Sequence, residues 1–368
     1  MDSGENIKSA LSVTAGIEPP PMVDPASLQR FLARQRKTPM TAAAYVNGIL
    51  QGNRTILSQA ITMVESSLPA HEAVAQEIVS RCLPYAGRSV RLGITGVPGV
   101  GKSTFIEALG MYLVTEQQRR LAVLAIDPSS ERSKGSILGD KTRMEQLSVH
   151  PSAFIRPSPS AGSLGGVAKK TREIIVLCEA AGFDTIFVET VGVGQSETSV
   201  HAMTDFFLLL MISGAGDELQ GIKRGIMEMA DLIAINKADG DRVQAAEMTR
   251  VQYQNALRLF PPTASQWVPK SLACSSLAGT GIREIWDAVT AYVDQTRANG
   301  YFSERRKQQS AYWMYTYINE ILKNRFYQHA SVRDQFGYYE RQVADNRLSP
   351  FAAADRLIDE YLHSMDKS

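Results

Sequence analysis

Eight residues constrain this chain more than any others: Gly96-Val97-Pro98-Gly99-Val100-Gly101-Lys102-Ser103. They follow an apolar run, Arg91-Leu92-Gly93-Ile94-Thr95, and precede Thr104-Phe105-Ile106-Glu107-Ala108-Leu109. Strand, glycine-rich loop and helix in that order satisfy G-x-x-x-x-G-K-[ST] in full. Glycines keep side chains away, so consecutive backbone N–H groups can surround a phosphate chain. The helix that opens at the loop's end adds unpaired amides and a partial positive charge. Residues Gly96 to Thr104 are therefore the expected phosphate contacts, with Lys102 reaching the outer phosphates and the Ser103 hydroxyl placed to ligate magnesium. The pattern predicts a nucleoside triphosphate bound at the end of a strand.

The rest of the chain supplies a sheet for that loop. Apolar strand candidates recur at 91–96, 121–127, 153–157, 184–190, 205–213, 231–237 and 270–275, with helical segments between them. Near-continuous apolar strands alternating with helices imply an α/β class fold with a mostly parallel sheet covered on both faces. Ahead of it, Met1 to Val23 lacks periodicity and is expected to be mobile. Asp24-Pro25 reads as a helix start, and amphipathic helices are expected at Ala42–Gln51, Thr55–Ser66 and His71–Leu83. Beyond Gly300 the strands stop: 303–329 has a helical pattern rich in aromatics, and Ser349-Pro350 caps a last helix. The expected organisation is a mobile segment (1–23), a helical extension (24–86), the nucleotide domain (87–300) and a helical arm (301–368). The arm must bury its apolar faces on the core or on a second subunit.

Composition narrows the class of partner. Lys and Arg number 39 against 38 Asp and Glu, a net charge of +1, so a global attraction to nucleic acid or to an anionic membrane is not indicated. No apolar run is long enough to span a bilayer, and the polar start Met1-Asp2-Ser3-Gly4-Glu5 is unlike a signal peptide. Cys82, Cys178 and Cys274 lie far apart among apolar residues, which suits buried thiols in a reducing cytoplasm. No His/Cys cluster suggests zinc or nickel.

Which nucleotide is bound follows from the polar groups at other strand ends. Asn236-Lys237-Ala238-Asp239 has the form N-K-x-D; a carboxylate there accepts from guanine N1–H and the 2-amino group, which adenine lacks. Facing adenine, the same carboxylate would be left unpaired, so discrimination can be large. Ser275-Ser276-Leu277, after another strand, is similar to the loop that completes such a pocket. Three acids, Asp127, Asp140 and Glu189, could complete the magnesium site directly or through water, and each could instead be an N-cap or turn residue. After Glu189-Thr190-Val191-Gly192 comes Val193, which cannot orient an attacking water. Gln195 could do so if turned inward, or could sit on the surface. The run 213–223, rich in glycine and charge, reads either as a movable loop near the nucleotide or as an ordinary connection.

The runs Asp127-Pro-Ser-Ser130, Gly135-Ser-Ile-Leu-Gly-Asp-Lys-Thr-Arg-Met144, Val188-Glu-Thr-Val-Gly-Val-Gly-Gln-Ser-Glu197 and Gly216-Asp-Glu-Leu-Gln-Gly-Ile-Lys223 resemble the MeaB/ArgK GTPases, associated with methylmalonyl-CoA mutase. The resemblance implies a P-loop GTPase domain with helical extensions on both sides, cycling GTP and GDP with Mg²⁺. It implies a homodimeric chaperone that gates adenosylcobalamin loading and protects or reactivates an adenosylcobalamin-dependent acyl-CoA mutase. By position, Lys102 and Ser103 hold phosphate and magnesium, Asp127, Asp140 and Glu189 belong to the metal and switch region, Asp239 reads guanine, and 214–223 senses the mutase. Lys134 departs from the family, which often has glycine there, and the first 40 or so residues look unlike a shared segment. With Val193 after Gly192, slow hydrolysis that a partner accelerates is expected. Two other functions compete: an ATPase or kinase serving amino-acid transport, which would prefer ATP, and a metal-insertion GTPase, which would bind nickel or zinc.

Overall fold

The computed structural model describes residues 40–127, 144–159, 164–190, 196–214 and 224–365. The segment to Val23 and the helix expected from Asp24 lie outside them. The described residues from Ala42 onward form one compact unit. Three helices come first: α1 (Ala42–Leu50), α2 (Arg54–Glu65) and α3 (Pro69–Cys82). Asn53 starts α2 as a side-chain cap, its Oδ1 accepting from the N–H groups of Thr55 and Ile56 at 3.0 and 3.2 Å.

The sheet follows. Its strands are β1 (Val90–Gly96), β2 (Leu121–Asp127), β3 (Ala153–Pro159), β4 (Thr185–Thr190), β5 (Phe206–Ile212), β6 (Leu232–Asn236) and β7 (Lys270–Ala273). Between them run α4 (Lys102–Thr115), α5 (Glu145–Val149), α6 (Leu164–Ala180), α7 (Ser196–His201), α8 (Arg224–Met229) and α9 (Val243–Leu257). Every pairing is parallel, in the order β3-β2-β4-β1-β5-β6-β7. From β1 the chain passes to β2 and β3 on one side, returns to insert β4 between β2 and β1, and then builds β5, β6 and β7 on the other side, which makes the end of β1 the switch point where such sheets bind ligands.

β5 shows why the apolar runs are continuous. Phe206, Leu208 and Leu210 enter the cluster built with Phe105, Leu109, Ile285 and Val289, while Leu209 and Met211 enter a second cluster with Ile233, Ile235 and Tyr253. Both faces are covered, so neither can carry polar residues. Each such side chain contributes about 1.5–3 kcal/mol by leaving water. The cysteines are buried free thiols, as expected.

After β7, α10 (Ile282–Ala298) closes one face of the sheet, and Gly300, at φ 80°, turns the chain into the 28-residue α11 (Tyr301–Gln328). Then come α12 (Ala330–Ala344) and α13 (Pro350–Met365). α12 is absent from the sequence reading. Its Val332, Phe336, Tyr339 and Val343 carry a helical period, but Gly337 at its centre costs about 1 kcal/mol relative to alanine and breaks the pattern. Those four residues instead meet Leu357, Phe326 and Tyr361 from the flanking helices. No helix among the described residues is long and apolar enough to cross a membrane.

Candidate nucleotide site

Because all seven strands are parallel, their carboxyl ends share one edge of the sheet. The glycine loop leaves β1 at its centre. Gly99 and Gly101 have φ of 76° and 90°, the left-handed region that only glycine enters cheaply. Gly96 is required for another reason: a Cβ there would stand 2.5 Å from the Leu210 carbonyl oxygen of β5. Lys102, first residue of α4, folds its Nζ back to donate to the carbonyls of Gly96 (2.9 Å) and Val97 (3.3 Å). Burial lowers the pKa of this ammonium, and the charges of Glu189 and Glu197 oppose that shift.

Two neighbouring strand ends brace the loop. Asn236, fully buried at the end of β6, donates from Nδ2 to the Val100 carbonyl at 2.9 Å. Its Oδ1 accepts from the Ser276 N–H at 3.1 Å and hydroxyl at 2.8 Å, so one amide ties the glycine loop to the loop after β7. Lys237 takes a left-handed backbone, φ 60°, and its Nζ donates to Gly99 O at 2.7 Å. Asp239 accepts from the Ser275 hydroxyl, which also accepts from the Ala278 N–H at 3.1 Å. Leu277 is 85% exposed at the tip of the same loop. The sequence-predicted residues Gly96 to Thr104, Asn236, Lys237, Asp239, Ser275 and Ser276 therefore gather at one edge, where hydrogen bonds tie Asn236 to Val100 and Ser276, Lys237 to Gly99 and Asp239 to Ser275.

The acids are placed less completely. Glu189, next to last in β4, is 8% exposed, and its charge reaches Lys102. The last residue of β4, Thr190, donates from Oγ1 to Thr95 Oγ1 of β1 at 2.8 Å, which locks the two strand ends beneath the loop. Asp127 is placed by its backbone at the end of β2. Asp140, Val193, Gln195, Lys134 and residues 215–223 lie outside the described residues. A hydroxyl at Ser103 and a carboxylate at Glu189 are all-oxygen donors, a set that fits magnesium and not a soft metal. Among the described residues, no group of three or more His, Cys, Asp or Glu side chains is arranged to hold a metal ion.

Glu197 is the site residue that sequence reasoning passed over. It stands in the first turn of α7, is 2% exposed, and its charge acts on Lys102 from 95 residues away in sequence. Its only local signal was a place at the end of the run Val188–Glu197.

A glycine loop at the switch point of a parallel sheet, braced by N-K-x-D, defines a P-loop nucleotide-binding protein of the GTPase type. The profile described as methylmalonyl Co-A mutase-associated GTPase MeaB matches residues 57–331, and the chain belongs to that family. It is 47% identical over 314 residues to the GTPase ArgK of Escherichia coli, covering 84% of this chain and 93% of that one. It is 46% identical over 324 residues to the mouse (Mus musculus) methylmalonic aciduria type A homolog, mitochondrial, covering 85% and 78%. Among solved structures, one titled LAO/AO transport system kinase superimposes with a TM-score of 0.72 at 38% identity, covering 89% of this chain and 99% of that one.

Proposed function

We propose that this chain binds and hydrolyses GTP as a chaperone of an adenosylcobalamin-dependent acyl-CoA mutase of the methylmalonyl-CoA mutase type, gating cofactor loading and protecting or reactivating the enzyme. The observation that carries the nucleotide choice is Asp239, oriented by Ser275 and tied through Asn236 to the phosphate loop. Recognition of the base and grip on the phosphates are thereby one connected structure. Membership of the mutase-associated family supports the partner.

In this reading the loop amides of Gly96 to Ser103 take the phosphates, and Lys102 exchanges its two loop carbonyls for phosphate oxygens. That exchange costs little, because the ammonium is already desolvated. Ser103 and Glu189, with Asp127 and Asp140, would hold magnesium, which neutralises charge developing on the phosphates. Gln195 would orient the attacking water, and Val193 leaves turnover slow until the partner acts. Asp239 excludes adenine, which argues against the transport-kinase reading. A nickel-insertion role has no Cys/His cluster among the described residues to support it. We further read 24–86 as a helical extension, 87–300 as the GTPase domain and 301–368 as the arm of a homodimer, in the cytoplasm.

Apo-mutase incubated with adenosylcobalamin tests the chaperone role directly. Loading, followed by the cobalamin absorbance, is expected to depend on this protein and on whether GTP or a non-hydrolysable analogue is present. Identical loading with and without the protein would overturn it.

A further inference from the structure

Helix α11 is fastened to the segment that joins α7 to β5. Arg305, Gln309 and Trp313 recur every fourth residue and so share one face of α11. Trp313 Nε1 donates to the Ala202 carbonyl at 2.9 Å. Gln309 Nε2 donates to the carbonyls of Thr204 (2.8 Å) and His201 (3.4 Å), and Arg305 Nη2 reaches His201 O at 3.5 Å. Arg306 adds a bidentate pair to Asp205 at 2.8 and 2.7 Å. Carbonyls at the end of a helix lack partners within it; here another helix, about a hundred residues on, supplies them.

Burial shows that this grip is not incidental. Arg305, Gln309 and Trp313 are all at least nine-tenths buried, and Gln309 Oε1 has no hydrogen-bond partner among the described residues. An unpartnered buried amide oxygen destabilises the fold. An apolar side chain of the same length would fill that space without the cost but could not donate.

At its other end α7 carries Glu197, whose charge acts on Lys102. The six-residue helix lies directly on β1 because Gly93 has no side chain: a Cβ there would come within 2.8–2.9 Å of Phe207, Thr204 and Val200. The short α7 therefore lies between the strand that feeds the phosphate loop and the grip of α11.

We propose that Gln309 and Trp313 are positioning residues of the nucleotide site, which hold α7 against β1, the strand that feeds the phosphate loop, and so couple that loop to the carboxyl-terminal helices. The inference rests on the GTPase reading above. Coupling between sites is reciprocal, so a load placed on α11 alters GTP turnover. The effect belongs mainly to kcat: loop amides dominate ground-state binding, whereas the placement of the Lys102 charge matters most as charge develops on the phosphates.

Trp313→Phe keeps a ring and removes the donor, and Gln309→Met keeps length and removes the donor. Lys307→Ala, an exposed change on the same helix, serves as control. Each is measured for steady-state GTP turnover, fluorescent-GDP affinity, melting temperature and hydrogen exchange at residues 196–205. The expected result is a kcat at least about fivefold lower in both variants, KM and GDP affinity within twofold, faster exchange in α7, and a control like wild type. The double variant should lose no more than the worse single one, since both act through one helix. Values of kcat within twofold of wild type, whatever happens to the melting temperature, would overturn the proposal. Wild-type protein that hydrolyses no GTP would overturn the parent reading, and this inference with it.

Discussion

On the proposed reading Lys102 and Asp239 act at opposite ends of the same nucleotide, and their variants should fail differently. Lys102→Ala removes the half-buried cation of the loop, which on this reading meets the phosphates; GTP turnover is expected to drop about 100-fold or more in a phosphate-release assay. Asp239→Asn exchanges an acceptor for an amide that cannot take both guanine protons. Affinity for GTP should fall by a factor of about 100, while xanthosine triphosphate, with an oxygen where guanine has its amino group, should bind better than to wild type. Competition against a fluorescent nucleotide reads both. His201 offers a pH test. Burial, then the nearby Arg305 charge, lowers its pKa from 6.5 to about 3. The unfolded chain therefore binds more protons than the folded one between those values, so stability is complete above pH 6.5 and is lost as the pH falls toward 3. That slope is at most about 1.4 kcal/mol per pH unit. Denaturant midpoints between pH 7 and 4 should fall less steeply for His201→Leu than for wild type.

At the scale of elements, the packing of α7 on β1 is the most sensitive joint near the site. Gly93→Ala forces the side chains of Phe207, Thr204 and Val200 to give way, and is expected to destabilise the protein by about 1–3 kcal/mol in urea unfolding. The strands were legible because a strand covered on both faces must be apolar throughout; β5, expected at 205–213, runs Phe206–Ile212. The phosphate loop was legible because glycine, lysine and serine at that spacing have few other uses. What could not be read were bonds made across the fold. Trp313 on α11 and Ala202 are 111 residues apart, and no local period records their contact. Asn236 was legible as a motif residue, but its role in joining two loops depends on β6 lying between β5 and β7. α12 escaped because Gly337 interrupts its apolar period, although the helix itself is amphipathic.

Taken whole, the molecule joins a complete sheet to a helical arm that remains partly uncovered. Tyr315, Ile318 and Leu322 on α11 are 63%, 44% and 57% exposed, and a cavity of about 590 Å³ opens between the terminal helices at Phe326, Tyr327, Phe336 and Leu357. Apolar surface of this kind is covered in working assemblies, and on the proposed homodimer reading a second copy covers it. Sedimentation is expected to give twice the mass of one chain, and deletion of residues 330–368 should reduce it to a monomer that still binds GDP. The measurement closest to the centre is phosphate release from GTP and from ATP, run in parallel without and with an adenosylcobalamin-dependent acyl-CoA mutase from the same genome. The expected result is slow GTP hydrolysis alone, at least tenfold faster with the mutase, and ATP left nearly untouched. Equal or preferred use of ATP, or GTP hydrolysis indifferent to the mutase, would contradict it.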